Sequence, residues 1–97
     1  MTPQEEVSCV RQIVEVVNVR GLHARAAARF VKLAESFNAD IQVCHAHRTV
    51  PGTSLMGLLL LGARQGTFLE IVCTGAGADE ALKALVSLVQ NKFTEEF

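Results

Sequence analysis

The chain has 97 residues and a formal charge of −1, from nine Lys and Arg against ten Asp and Glu, with 49% apolar and 20% charged residues. That size and balance exclude a multidomain enzyme and a disordered or fibrous chain. They also exclude a generic nucleic-acid binder, which needs a basic excess to release counterions from a phosphate backbone.

A single domain over residues 1–97, with an ordered core of about 8–93, is the economical reading, and two layers of secondary structure are about what such a core can close. Function is therefore expected on the surface. The first ten residues are acidic and lack the basic start and apolar stretch of a secretory signal, which predicts a cytoplasmic protein. No membrane insertion is expected. The apolar run from Leu55 to Ala63 is broken by Gly57 and Gly62 and falls far below the roughly 20 residues that span a bilayer. Cys9, Cys44 and Cys73 are odd in number and widely spaced, as suits reduced thiols, and Cys73 is expected to pack as a small apolar side chain.

In chain order, β-branched residues from Val10 to Val17 predict a first strand that ends at Asn18 and leads into Arg20-Gly21. Ala27, Phe30, Val31, Ala34 and Phe37 recur at helical spacing, so an amphipathic helix is predicted to end near Asn38, with Arg25, Arg29, Lys32 and Glu35 off its apolar face. Asp40 to Ala46 and Arg48 to Val50 predict two short strands with a tight connection. His45 and His47 would then share a face, yet no further ligands at metal spacing accompany them and no metal or other cofactor is expected. Pro51-Gly52 makes a turn, and Thr53-Ser54 caps a short helix over Leu55 to Leu61. Two apolar turns cannot bury every side chain, so Leu55, Met56 and Leu59 are candidates for an exposed patch.

Thr67 to Thr74 predicts the last strand, with Leu69, Ile71 and Cys73 on one face and Phe68, Glu70 and Val72 on the other. After Gly75-Ala76-Gly77, acidic Asp79 and Glu80 open a helix whose core stripe is Leu82, Leu85, Val86, Val89 and Phe93. The order β-α-β-β-α-β-α predicts an α+β fold with helices on one face of a sheet.

The chemistry concentrates in GLHARAAARF, residues 21–30, where a glycine-bearing loop delivers His23 to the start of a helix. Unpaired backbone N–H groups and the positive end of the helix dipole favour an anion there, so a phosphoryl group on His23 would meet donors at Ala24 and Arg25. The Arg25 side chain adds a charge-assisted bond. Arg25, Arg29 and Lys32 recur at helical spacing beside the histidine and, with Leu55, Met56 and Leu59, form a candidate docking surface.

GLHARAAARF, then PGTSLMGLLLLGARQG, then GAGADEALKAL, in this order and spacing, resemble the HPr family of histidine-containing phosphocarrier proteins. The resemblance implies an HPr-like open-faced β-sandwich, a four-stranded antiparallel sheet with three helices on one face. It implies a monomeric carrier, not an enzyme with its own turnover, in the phosphoenolpyruvate-dependent phosphotransferase system. His23 matches the family's phosphorylated histidine, which accepts the group from enzyme I and passes it to an enzyme IIA component, and Arg25 matches the motif arginine. Ser54 matches a serine that a dedicated kinase, with its phosphorylase, modifies in some lineages. Leu55, Met56 and Leu59 fall on the family's apolar docking patch. One departure is Ala26, where the family usually has a proline that preorganises the first helical turn. LLLLG and the closing NKFTEEF are also similar to the nitrogen-branch paralogues, NPr, which use the same histidine in a regulatory relay.

Overall fold

Along three stretches apolar residues alternate with exposed or half-exposed ones, and each apolar set lies on the buried side of a strand: Val14 with Val16, Ile41 with Val43, and Leu69 with Ile71 and Cys73. In the computed structural model, which describes residues 8–97, the strands are β1 (Cys9–Glu15), β2 (Asp40–His45), β3 (Arg48–Pro51) and β4 (Phe68–Thr74). They form one antiparallel sheet in the order β1-β4-β2-β3. The register sets Val14 opposite Leu69, Val43 opposite Ile71, and Val43 opposite Val50. Pro51, which cannot donate to a ladder, falls at the end of edge strand β3.

The helices are α1 (Ala24–Glu35), α2 (Leu55–Leu60) and α3 (Ala78–Gln90), so the order is the expected β-α-β-β-α-β-α and the architecture an open sheet with three helices. Helix α1 buries Ala26, Ala27, Phe30 and Ala34, while Val31 and Phe37 are half-buried. It stops before Asn38 because Ser36 closes the last turn, its amide and its hydroxyl both donating to the Leu33 carbonyl. Replacement of the family's proline leaves the first turn intact, with Ala26 fully buried in it.

Helix α3 buries Ala78, Ala81, Leu85, Val86 and Val89, and Leu82 is half-buried instead of central. Ala78 and Ala81 occupy the buried side of the first turns, and Leu82, one residue and about 100° further round, turns partly away from it. Phe93 is fully buried as expected, but it lies outside α3. Lys92, Phe93 and Thr94 have φ of 58°, 52° and 66°, a left-handed turn. Three such non-glycine residues cost roughly 1–2 kcal/mol each. Burying Phe93, worth about 1.5–3 kcal/mol, offsets part of that, and the turn redirects the chain after α3.

The β2–β3 connection is tight, but its two residues are Ala46 and His47, with Ala46 at φ 55°. His47 is therefore in the turn and does not share a strand face with His45, a correction to the alternation expected from the sequence. Cys73 is fully buried, and burial, followed by the nearby Asp40 and Cys9, pushes its thiol up to about 11. On the uncovered face of the sheet, Ile13 and Phe68 are exposed and Arg11 pairs with Glu70 at 3.8 Å. Among the described residues no helix is long and apolar enough to cross a membrane.

Candidate functional site

The loop after β1 is built by close backbone contacts. Gly21 has φ +69°, and a Cβ there would meet the Ala63 carbonyl oxygen at 2.6 Å, so only glycine fits this position. The next amide, that of Leu22, donates to the same oxygen at 2.9 Å. These contacts fasten the loop to the segment between α2 and β4 and aim residue 23.

His23 is the N-cap of α1, with extended backbone (φ −83°, ψ −178°) and its carbonyl accepting from the Ala27 amide at 2.8 Å. Its Nδ1 accepts from the Arg25 amide at 3.3 Å. Its Nε2 meets Oε2 of Glu95, and the other carboxylate oxygen, Oε1, accepts from Asn18 Nδ2 at 2.9 Å. Nδ2 of Asn18 also donates to the Gly21 carbonyl at 2.8 Å, which fixes the orientation of this fully buried amide. Its Oδ1 is the one buried side-chain polar atom without a partner among the described residues.

One tautomer satisfies both contacts of the ring. We assign the proton to Nε2, donated to Glu95, which leaves the Nδ1 lone pair at the start of α1. Burial pulls the Glu95 carboxyl upward. Hydrogen bonds from Asn18 and His23, with the charges of His23 and Arg29, outweigh it and hold the group below the usual carboxylate range. Glu95 therefore stands as a carboxylate behind the imidazole.

Arg25 is exposed, and none of the side-chain hydrogen bonds among the described residues uses its guanidinium. Arg29 donates to the Phe93 carbonyl at 2.8 Å and so ties α1 to the left-handed turn. Arg20, Arg25 and Arg29, with Val19, face Thr94 to Phe97 across an open pocket of about 550 Å³. Ala24 is exposed in the first turn. The arrangement offers a nucleophilic nitrogen, unpaired helix-start amides and guanidinium groups to a small anion. Among the described residues no three His, Cys, Asp or Glu gather as metal ligands.

Ser54 caps α2, its Oγ accepting from the Gly57 amide at 3.0 Å. A second groove, of about 390 Å³, runs between α1 and α2 and is lined by Ala28, Val31, Lys32, Glu35 and Leu55. The exposed apolar side chains of α2 are Leu55, Met56 at 66% and Leu60 at 60%. Leu59 is half-buried and packs against the core, so Leu60 takes its place in the patch. The reason is angular: Leu58 is fully buried, and two residues on, Leu60 has turned about 200° away from it and stacks over Met56.

The sequence reading missed Asn18 and Glu95. Asn18 carried a weak signal, a polar residue between valines just before a glycine loop. Glu95 carried none, because its partner lies 72 residues away and only the turn at 92–94 brings it back.

A sequence profile described as the PTS HPr component phosphorylation site matches residues 10–91. A phosphocarrier protein HPr of Neisseria meningitidis is 38% identical over 86 residues, 89% of this chain and 97% of that one. A phosphocarrier protein NPr of Shewanella violacea is 38% identical over 82 residues, 84% of this chain and 90% of that one. The crystal structure of an HPr from Thermoanaerobacter tengcongensis superposes with a TM-score of 0.87 at 40% identity, covering 91% of this chain and 99% of that one.

Proposed function

The chain belongs to the HPr family of phosphocarrier proteins, and from that premise we propose that His23 accepts a phosphoryl group from enzyme I and passes it to an enzyme IIA component. The observation that carries this reading is the placement of His23 Nδ1 at the first turn of α1, its lone pair engaged only by the 3.3 Å contact from the Arg25 amide and its other nitrogen held. Nδ1 attacks phosphorus, the bond to the donor atom breaks, and its electron pair leaves with the donor. The weak Arg25 amide contact is exchanged for one to a phosphoryl oxygen, and the Arg25 guanidinium closes on another. Return transfer reverses these steps.

A carrier must donate as readily as it accepts, and every 1.4 kcal/mol of extra product stability costs tenfold in the onward equilibrium. An open site at a helix start, worth about 0.3–1 kcal/mol toward an anion, meets that demand better than a closed cage. The partners dock on the apolar side chains of α2 and the positive groups of α1, namely Arg25, Arg29 and Lys32. A kinase acting on Ser54 would place its charge at the edge of this surface. We assign the protein to the cytoplasm. Another solved HPr is described as a dimer. We take the monomer as the working unit of this protein, since His23, Arg25 and Glu95 can meet within a single chain. The same geometry would serve the nitrogen-branch relay, and the chain is as similar to an NPr, at 38% identity, as to the HPr of Neisseria meningitidis.

Incubation with phosphoenolpyruvate and enzyme I, followed by intact mass at neutral and acidic pH, tests the proposal. One acid-labile phosphoryl group on the wild type is expected. An unlabelled wild type, or a label that survives acid, overturns it. Comparing sugar-branch and nitrogen-branch enzyme I and IIA proteins as partners separates the two relays, and sizing by light scattering tests the monomer.

A further inference from the structure

We propose that Glu95 is a positioning residue for phosphotransfer, holding His23 in the tautomer whose Nδ1 is the nucleophile, with buried Asn18 as the anchor that aims it. The inference rests on the carrier reading for its role in transfer and on geometry alone for its effect on the ring. Both Nδ2 hydrogens of Asn18 are spent, one on the Gly21 carbonyl and one on Glu95 Oε1. The Gly21 contact prevents the amide from flipping without breaking the loop that aims His23. The carboxylate must then present Oε2 to the imidazole, and a carboxylate can only accept. The proton is thereby confined to Nε2.

The consequence for transfer follows from charge. As Nδ1 forms its bond to phosphorus, the ring gains positive character while Nε2 keeps its proton. A carboxylate already hydrogen-bonded to that proton stabilises the developing charge without any proton changing hands. Arg29, bonded to the Phe93 carbonyl, and the left-handed turn at 92–94 hold the segment that carries Glu95 in reach. Glu95 touches neither the phosphoryl group nor the donor, so it acts only through His23.

Two substitutions with opposite signatures test this. In Glu95→Ala nothing selects a tautomer. In Glu95→Gln the amide oxygen is claimed by Asn18, so the amide nitrogen faces Nε2 and donates to it, which drives the ring proton onto Nδ1. Ring ¹⁵N chemical shifts of His23, read without any donor at pH 8.5 where an ordinary imidazole is neutral, should show an unprotonated Nδ1 in the wild type. They should show a mixture in Glu95→Ala and a protonated Nδ1 in Glu95→Gln. Transfer from enzyme I should slow by about tenfold to a hundredfold, as for groups that orient an imidazole through its second nitrogen, with Glu95→Gln slower than Glu95→Ala. The final extent of labelling should be unchanged in both. Identical ring shifts in all three proteins, or altered shifts with unaltered transfer rates, would overturn the proposal. A wild type with the expected shifts but no label would instead overturn the carrier reading.

Discussion

His23 and Ser54 occupy the same grammatical position, an extended residue before a helix whose side chain accepts from a nearby amide, yet they are built for different ends. Ser54 bonds the Gly57 amide three residues on at 3.0 Å, a contact made within its own turn. His23 bonds the Arg25 amide only two residues on, at 3.3 Å, and is held by Glu95 from 72 residues away. The serine's contact is an ordinary cap, whereas the histidine's is weak enough to be exchanged for an incoming group. The shorter contact serves the cap, and the longer one leaves Nδ1 open to exchange. The two helix starts separate those demands, one supplying stability and the other reactivity.

The largest effect expected on this contrast is that of His23→Ala, which should abolish acid-labile labelling while the melting curve stays close to wild type. Labelling that persists, at His45 or elsewhere, would show that the helix start does not select the site. Arg25→Ala comes next. Its guanidinium is exposed and unpaired among the described residues, so stopped-flow transfer should slow by about tenfold in both directions, with no change in melting temperature. A fall in stability with transfer per folded molecule intact would make Arg25 structural.

Ser54 should answer with the opposite pattern. Ser54→Ala should cost about 1 kcal/mol of stability and leave the transfer rate alone, as read by urea unfolding beside a labelling time course. Ser54→Asp keeps a competent cap and adds charge beside Leu55 and Met56. It should hold stability while raising the enzyme I concentration needed for half-maximal rate. An unchanged concentration dependence, with Met56→Ala weakening docking, would reduce Ser54 to a cap.

The smallest effect is in acid. Glu95 is held below the ordinary carboxylate range, so its contribution to stability is complete above about pH 4.5 and is lost as pH falls through the lower folded-state value. The melting-temperature difference between wild type and Glu95→Gln should therefore shrink below that pH. A difference independent of pH would mean that the carboxylate's charge is irrelevant to the fold.

Most of the architecture was legible because it rests on local patterns. Alternation in β4, the cap at Ser54 and the glycine before His23 each work within a few residues, and each of these features formed where its pattern lay. The failures share one cause. Leu59 and Leu60 are chemically alike, and only the packing of Leu58 against the core decides which of them faces out. Leu82 yields its central place to Ala78 and Ala81, which take the buried side of the first turns of α3. Glu95 reaches His23 only because Phe93 is buried and the backbone reverses hand around it. These outcomes depend on three-dimensional neighbours that no window of sequence contains.

Strand β4 lies between β1 and β2, and both of its neighbours precede it in the chain, with Cys9 set opposite Thr74 and Ile41 opposite Cys73. Until residues 68–74 are in place, β1 has no partner and the β2–β3 hairpin stands alone, and an isolated hairpin is marginal in water. The entropy of closing so long a loop must be met before any of these pairings returns stability, so folding should be slow for the chain's size and free of stable halves. The contact between Glu95 and His23 closes a loop of the same kind. Reactivity at His23 should therefore emerge together with the final native packing, and a partly folded chain should be a poor phosphoryl acceptor.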